Sequence, residues 1–330
     1  MKSVTAKARR KARRVASAAV ASGLIAGGAL ALTTTAASAA TLSSGTSYRF
    51  TTLDNPRDLT FNQLLGINDS GVIAGYFGSG AQGHPNQGYL LLPPYQGNYL
   101  NENFPGSVQT QVTGLNNRGV TVGFWSSMNN AIMVNDNHGF VDVGGHFRTA
   151  DFPTGSPAAP PVDQLLGVND HDVAVGFYTD ANGNNHGYEY KIGQHRFSSV
   201  TEAGVTSLTA AAVNDRNDVA GFYTNPGTGN TDGFLKTHHG QFIDLAVPGA
   251  SSTMALGVNN DDEVVGVYTI GSGSSAQMHG FTWTPQSGFR TVDDPNGAGT
   301  TTINGVNDRG DLVGFYVDGA GNTDGFLATP

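Results

Sequence analysis

The chain contains no cysteine, which excludes disulfides, thiolate nucleophiles and Cys-ligated metals and leaves the fold to be held by burial alone. Charge is sparse at 13% of 330 residues, and basic residues are scarcer than acidic ones, 17 against 26. Seven of the 17 precede residue 40 and no acid does, so beyond that point ten bases face 26 acids, a balance of −16. Such acidity disfavours nucleic acid and anionic membrane surfaces as partners, because both demand a cationic face. It leaves neutral glycans open. Helical periodicity is missing from residue 40 onward. So are a Walker loop, a His-Glu-x-x-His pair and a Gly-x-Ser-x-Gly elbow, the commonest signatures of catalysis.

What is present begins with a leader. Lys2, Lys7, Arg9, Arg10, Lys11, Arg13 and Arg14 precede an uncharged, Ala-rich stretch from Val15 to Leu32, and Ala37-Ser38-Ala39 supplies the small residues of a signal-peptidase site. Residues 1–39 are therefore expected to be a signal peptide and 40–47 a short linker, with the mature protein secreted. A retained membrane anchor is the competing reading, weakened by Gly23, Gly27 and Gly28. The arginine pairs leave export by the Sec or the twin-arginine route open.

From residue 48 onward one phrase recurs six times. It reads Gly-Ile-Asn-Asp-x-Gly-x-Ile-Ala-Gly-Tyr at 66–76, and its central Asn recurs as Asn68, Asn116, Asn169, Asn214, Asn259 and Asn307 at spacings of 48, 53, 45, 45 and 48 residues. That period suits a four-stranded propeller blade. In the fifth copy the strands read 254–258, 263–268, 279–283 and 289–292, separated by Gly, Asn and Asp turns. A second signature, an aromatic six residues before Pro, marks the fourth strand at Tyr99, Phe147, Phe242 and Phe289, with Phe197 before Ala203 as a degenerate copy. The sixth copy is Phe50 before Pro56, at the opposite end of the chain, while the last unit stops at Phe326-Leu327 after its third strand. The expected fold is thus all-β, a six-bladed β-propeller over 48–330, closed by the N-terminal strand pairing into the last blade.

The Gly-Val-Asn-Asp-x-Gly-x-Val-Val-Gly phrase followed by His-Gly-Phe at 138–140 and 279–281, or His186-Gly187-Tyr188, resembles the extracellular HAF repeat, named for His-Ala-Phe. The likeness spans 48–330. Gly stands for the Ala in all six units, and Gln87, Asp232 and Asp324 replace the His. The resemblance implies a secreted β-propeller-like protein of a divergent branch, and no general activity.

Repetition argues that a residue serves the repeat. Asn-Asp-x-Gly between two apolar strands is a hairpin turn, with calcium as the minor alternative there and in the Asp/Asn/Gly-rich loops 179–187, 224–233 and 317–325. His138, His186 and His279 open third strands and are expected to hydrogen-bond at a sheet end, too far apart to share a metal. Trp125 and Trp283 fall on repeat positions and read as packing, with sugar stacking as the alternative.

A site is expected on the face carrying the irregular blade-joining loops 55–63, 104–111, 153–164, 202–209, 248–254 and 295–302. Five positions before each central Asn stand Gln63, Gln111, Gln164, Thr209, Met254 and Thr302. The polar five, with Arg57, are expected to form a hydrogen-bonding mouth. The leading function is binding of an extracellular polysaccharide or cell-wall glycan by a monomer. Alternatives are a glycan-cleaving hydrolase or lyase using Asp58, Asp163, Glu202 or His84, and a scaffold for an extracellular protein partner. No metal or cofactor is required by any of these readings.

Overall fold

The computed structural model describes residues 47–81, 83–129 and 136–330; the expected leader and most of the linker lie outside the described residues. After β1 (Arg49–Thr52), the first unit holds β2 (Asn62–Ile67), β3 (Ile73–Phe77), β4 (Gln87–Leu91) and β5 (Tyr99–Asn101). The second holds β6 (Gln109–Leu115), β7 (Val120–Ser126), β8 (His138–Val143) and β9 (His146–Thr149). The third holds β10 (Asp163–Val168), β11 (Val173–Thr179), β12 (Asn185–Lys191) and β13 (Arg196–Ser199), and the fourth β14 (Leu208–Val213), β15 (Val219–Thr224), β16 (Thr231–Lys236) and β17 (Phe242–Leu245). The fifth holds β18 (Ser252–Val258), β19 (Val264–Ile270), β20 (Gln277–Thr284) and β21 (Gly288–Thr291), and the sixth β22 (Thr302–Val306), β23 (Leu312–Val317) and β24 (Thr323–Thr329).

Each set is an antiparallel meander, and the protein is all-β and propeller-like in arrangement. The sixth unit takes its fourth strand from the start of the chain: β1 pairs with β24 over Arg49–Thr329 to Thr52–Phe326. A single parallel pair, Thr231 with Ser252, joins the fourth and fifth sets into one eight-stranded sheet. Bridges at Phe61 with Thr323, Asn137 with Val162 and Met278 with Thr300 touch neighbouring units in the same way.

The repeated phrase explains this packing residue by residue. In the first strand of every unit the register slips by one residue, as between Leu64 and Gly66. The Gly two before the central Asn lets adjacent first strands touch: a Cβ on Gly114 would lie 2.9 Å from the carbonyl oxygen of Leu166 and 3.1 Å from Cα of Gly167. The turn position three after the central Asn needs positive φ. Gly71, Gly119 and Gly310 supply it, and Asp172, Asn217 and Asp262 adopt φ of 56°, 63° and 61°, which short polar side chains tolerate best after Gly.

The central Asn does more than cap its own turn. Asn169 Oδ1 accepts from the N–H groups of His171 and Val173, both at 3.0 Å, while its Nδ2 donates across to the carbonyl of Asn214 at 2.8 Å. The same handover runs from Asn68 to Asn116, Asn116 to Asn169, Asn214 to Asn259 and Asn259 to Asn307, and from Asn307 it returns to Asn68 at 3.1 Å. The next residue repeats the circuit: the N–H of Asp69 donates to Asn117, Asn117 to Asp170, Asp170 to Asp215, Asp215 to Asn260, Asn260 to Asp308 and Asp308 to Asp69. Apolar burial follows the same order. Each of six buried clusters spans two consecutive units, including Leu64 and Tyr89 of the first with Val313 and Leu327 of the sixth.

These turns ring a central cavity of about 120 Å³. Leu65, Leu166 and Leu256 line it from the first, third and fifth units, and the smaller Thr113, Ala211 and Asn304 from the second, fourth and sixth. A second alternation matches the first. Arg118, Arg216 and Arg309, in the second, fourth and sixth units, reach onto the turn carbonyls of Asp170, Asn260 and Asp69 in the following unit, where units one, three and five have Ser70, His171 and Asp261.

Candidate functional site: a groove on the first unit

The second cavity, of about 260 Å³, lies between the loop after β1 and the outer strands of the first unit. Its loop wall is pinned from below. Asn62 accepts the N–H of Asn55 at 2.9 Å and donates to the carbonyl of Asp58 at 2.6 Å, and Asn55 in turn accepts the N–H of Arg57 at 3.0 Å. The Arg57 side chain stands exposed above this anchored stem. Facing it are Phe77, Gln87, Tyr89, Tyr99, Leu100, Asn101 and Asn103. Asn103 orders that wall, accepting the N–H of Gly88 at 2.9 Å and donating to Gln87 Oε1 at 3.2 Å and Asn101 Oδ1 at 2.7 Å.

Tyr89 forms the back of the groove. Its ring meets Tyr99 edge-on at 5.0 Å and Phe77 in a stack at 6.4 Å, so it is held in place, and it is only 2% exposed. Its hydroxyl has no hydrogen-bond partner among the described residues, an unusual state for a buried polar atom. Tyr99, by contrast, donates to the carbonyl of Asp54 at 2.7 Å. Burial pushes the Tyr89 phenol well above its ordinary range, and burial with the nearby Asp54 pushes Tyr99 up to about 12. Both therefore remain neutral at physiological pH. The groove offers amides, hydroxyls, an aromatic wall and one cation, and neither carboxylate nor imidazole is among its lining residues.

Of the candidate binding and catalytic residues named from sequence, Arg57 alone lines this groove. Gln63, Gln111, Gln164, Thr209 and Thr302 are 0–2% exposed, beneath the surface and not at a hydrated mouth. Gln63 accepts from the Tyr76 hydroxyl at 2.7 Å, Gln111 donates to Asn86 at 2.9 Å, and Thr209 accepts from Asn185 at 3.1 Å. Neither amide atom of Gln164 has a partner among the described residues, nor does the Thr302 hydroxyl.

The candidate acids and His84 sit at separate places. Asp58 accepts from the N–H and hydroxyl of Thr60 at 2.9 and 2.6 Å, Glu202 faces Lys236 at 3.5 Å, and His84 is exposed between β3 and β4. Asp163 is buried; it accepts from the Tyr188 hydroxyl at 2.5 Å and from the N–H of Phe152 at 2.7 Å. Burial pushes its carboxyl up to about 7. The second of these bonds is a repeat feature, since Asn62, Thr110, Thr253 and Thr301 each accept an N–H of the preceding joining loop.

The strand-opening histidines bond to carboxylates at the sheet ends: His138 to Asp151 at 2.7 Å, His279 to Asp293 at 2.7 Å and His186 to Asp180 at 3.0 Å. Trp125 stacks between Phe104 at 4.7 Å and His138 at 4.9 Å. In the Asp/Asn/Gly-rich loops, Asp180 and Asp318 each accept two backbone N–H groups of their own turn. Among the described residues no group of three His, Asp or Glu side chains is placed to hold a metal ion.

Sequence reasoning missed Tyr89, Gln87, Asn101 and Asn103. The available signal was Tyr at 89 and 188, where the other four units have Phe: a hydroxyl added to a core position asks for a reason.

No family model matches the chain, and no curated protein matches it. Among solved structures it is similar to TolB from Acinetobacter baumannii, at 10% identity and a TM-score of 0.44, over 74% of this chain; the chain spans 60% of that protein's length. It is also similar to an ulvan lyase of polysaccharide lyase family PL25, in a structure bound to -[GlcA(1-4)Rha3S]- and in a second one. Both are at 12% identity over 79% of this chain and 76% of the lyase, with TM-scores of 0.42 and 0.43.

Proposed function

We propose that the chain is a secreted six-bladed β-propeller, a divergent relative of HAF-repeat proteins, that binds an extracellular polysaccharide or cell-wall glycan in the groove on its first blade. The ring reading is supported by the β1–β24 pairing and by the two hydrogen-bond circuits that return from Asn307 to Asn68 and from Asp308 to Asp69. Export rests on the leader pattern of residues 1–39. The observation that carries binding is the Tyr89 hydroxyl, buried without a partner at the back of a cavity whose other polar groups are neutral amides and one arginine. A sugar hydroxyl, donor and acceptor at once, satisfies such a group, and the aromatic and leucine surface suits the apolar face of a pyranose.

The test is a glycan array run beside reducing-end and unsaturated-product assays on plant and microbial polysaccharides. Saturable binding without turnover, lost in Tyr89→Phe, is the expected result. Turnover abolished by removing Asp58, Asp163, Glu202 or His84 would replace binding by cleavage. Retention of no glycan at all would refute the reading and leave a protein partner.

A further inference from the structure

We propose that the glycan bound in this groove is acidic, a uronic-acid polymer whose carboxylate is held by the guanidinium of Arg57; the proposal rests on the glycan-binding reading above. The charge distribution points to it. Beyond residue 39 acids outnumber bases 26 to ten, yet the groove lining includes one cation and no carboxylate. Arg57 is the one charged residue of that lining, although the Asp54 carboxyl lies close enough to act on Tyr89 and Tyr99. Four other cations are held in ion pairs, Arg118 with Asp172 at 3.1 Å, Arg216 with Asp218 at 3.1 Å, Arg309 with Asp311 at 2.7 Å and Lys236 with Glu202 at 3.5 Å, whereas Arg49, Arg148, Lys191, Arg196 and Arg290 make no ion pair among the described residues and line neither cavity. Arg57 has no ion-pair partner within 4.0 Å among the described residues, although its backbone is fixed by Asn55.

An anchored stem carrying an unengaged planar fork is the arrangement that recognises a carboxylate with two parallel hydrogen bonds. The free hydroxyl of Tyr89 and the amides of Gln87 and Asn101 lie across the same cavity, placed for the hydroxyls of the ring that carries the carboxylate. Leu100, 51% exposed on the rim, extends the contact to a neighbouring sugar. Because the rest of the protein repels a polyanion, the long-range field opposes binding while the desolvated contact pair favours it. Salt screens the first far more than the second.

The experiment titrates the mature protein and Arg57→Gln with poly-uronates of several linkages, their methyl esters and neutral β-glucans. The side chain of Arg57 is exposed and makes no ion pair, so the variant should melt with the wild type. The expected result is binding of one free-acid polymer at least about tenfold tighter than its ester, a preference that Arg57→Gln erases. Affinity should hold or rise between about 20 and 150 mM salt, where the Debye length shrinks to about 8 Å. Equal affinity for acid and ester, or binding of neutral polymers alone, overturns the acidic ligand and leaves glycan binding intact. A preference for the acid that persists in Arg57→Gln overturns the role given to Arg57. Binding of no polymer in any arm removes the glycan reading and this one with it.

Discussion

Tyr89→Phe and Tyr188→Phe delete the same atom from the same strand position in two units, and their effects on stability should have opposite signs. The Tyr89 hydroxyl is buried with no partner, and the equivalent rings of Phe140, Phe234, Phe281 and Phe326 are buried without needing one. An unsatisfied buried hydroxyl costs about 1–3 kcal/mol. Removing it should stabilise the protein by about 1 kcal/mol, or raise Tm by about 2–4 °C for a chain of this size. Tyr188 donates at 2.5 Å to Asp163 Oδ1, in a carboxyl that is 5% exposed. Its loss strands that oxygen and should cost about 2–3 kcal/mol, the larger figure above pH 7 where the carboxyl is ionised. Calorimetry on both variants at pH 6 and pH 8, with a glycan titration alongside, reads the result. Tyr89→Phe should gain stability while losing glycan affinity by about tenfold, the loss of one good hydrogen bond; Tyr188→Phe should lose stability and keep affinity. Two shifts of the same sign would refute the assignment of the Tyr89 hydroxyl to a ligand.

The remaining expectations concern the frame. Asn169→Ala breaks four bonds, to His171, Val173, Asn214 and Asn217, and at about 1 kcal/mol each, less local relaxation, should cost about 3 kcal/mol in urea titrations while sparing glycan affinity; a loss below about 1 kcal/mol would show that the handover between units contributes nothing. Deleting residues 41–56 removes β1 and the Phe50–Phe326 contact and should lower Tm sharply, so an unchanged melting temperature would sink closure by the N-terminal strand. Burial raises Asp163 and Glu102 to about 7 and Asp54 to about 6. The folded protein thus keeps protons that the unfolded chain releases near pH 4, and this stabilisation, complete below about pH 4, fades as pH rises through 6 to 7. Asp180, Asp136 and Asp218, held low mainly by hydrogen bonds that outweigh burial, act in the opposite sense at lower pH, so Tm should be highest near pH 4–5. Asp163→Asn, with Asn62 as its precedent in the first unit, should flatten the fall between pH 5 and 8, and a profile as steep as the wild type's would place the dependence elsewhere.

The order of strands was legible because each unit repeats its own turn chemistry, and the displaced Phe50 marks β1 as the partner of β24. Asn68 and its equivalents were legible only by half. Capping from Asn169 to Val173 is local and visible in a pattern, whereas its bond to Asn214 spans 45 residues and exists only once neighbouring units are side by side. The polar residues five places before each Asn were misplaced for a specific reason. They open the first strand and are buried under neighbouring side chains, while the extra residue that the slipped register inserts between Leu64 and Gly66 stands outside the pairing. Leu65, not Gln63, consequently faces the central cavity. Arg57 lies in a loop outside the repeated strands and was named for that; Tyr89 was overlooked because it stands at an aromatic position of the repeat.

The alternation of large and small side chains around the central cavity imposes a parity on the molecule. Leucines at 65, 166 and 256 interleave with Thr113, Ala211 and Asn304, and each arginine at 118, 216 and 309 spans from an even unit to the odd one after it. In these two features the molecule repeats every second unit. Gaining or losing a single unit would set two leucines, or two small residues, side by side, and would leave an arginine facing another arginine-bearing turn or a turn with none to receive. Duplications and excisions compatible with this interior therefore come in steps of two, and a chimera assembled by exchanging pairs of units keeps the alternation that an exchange of single units would break.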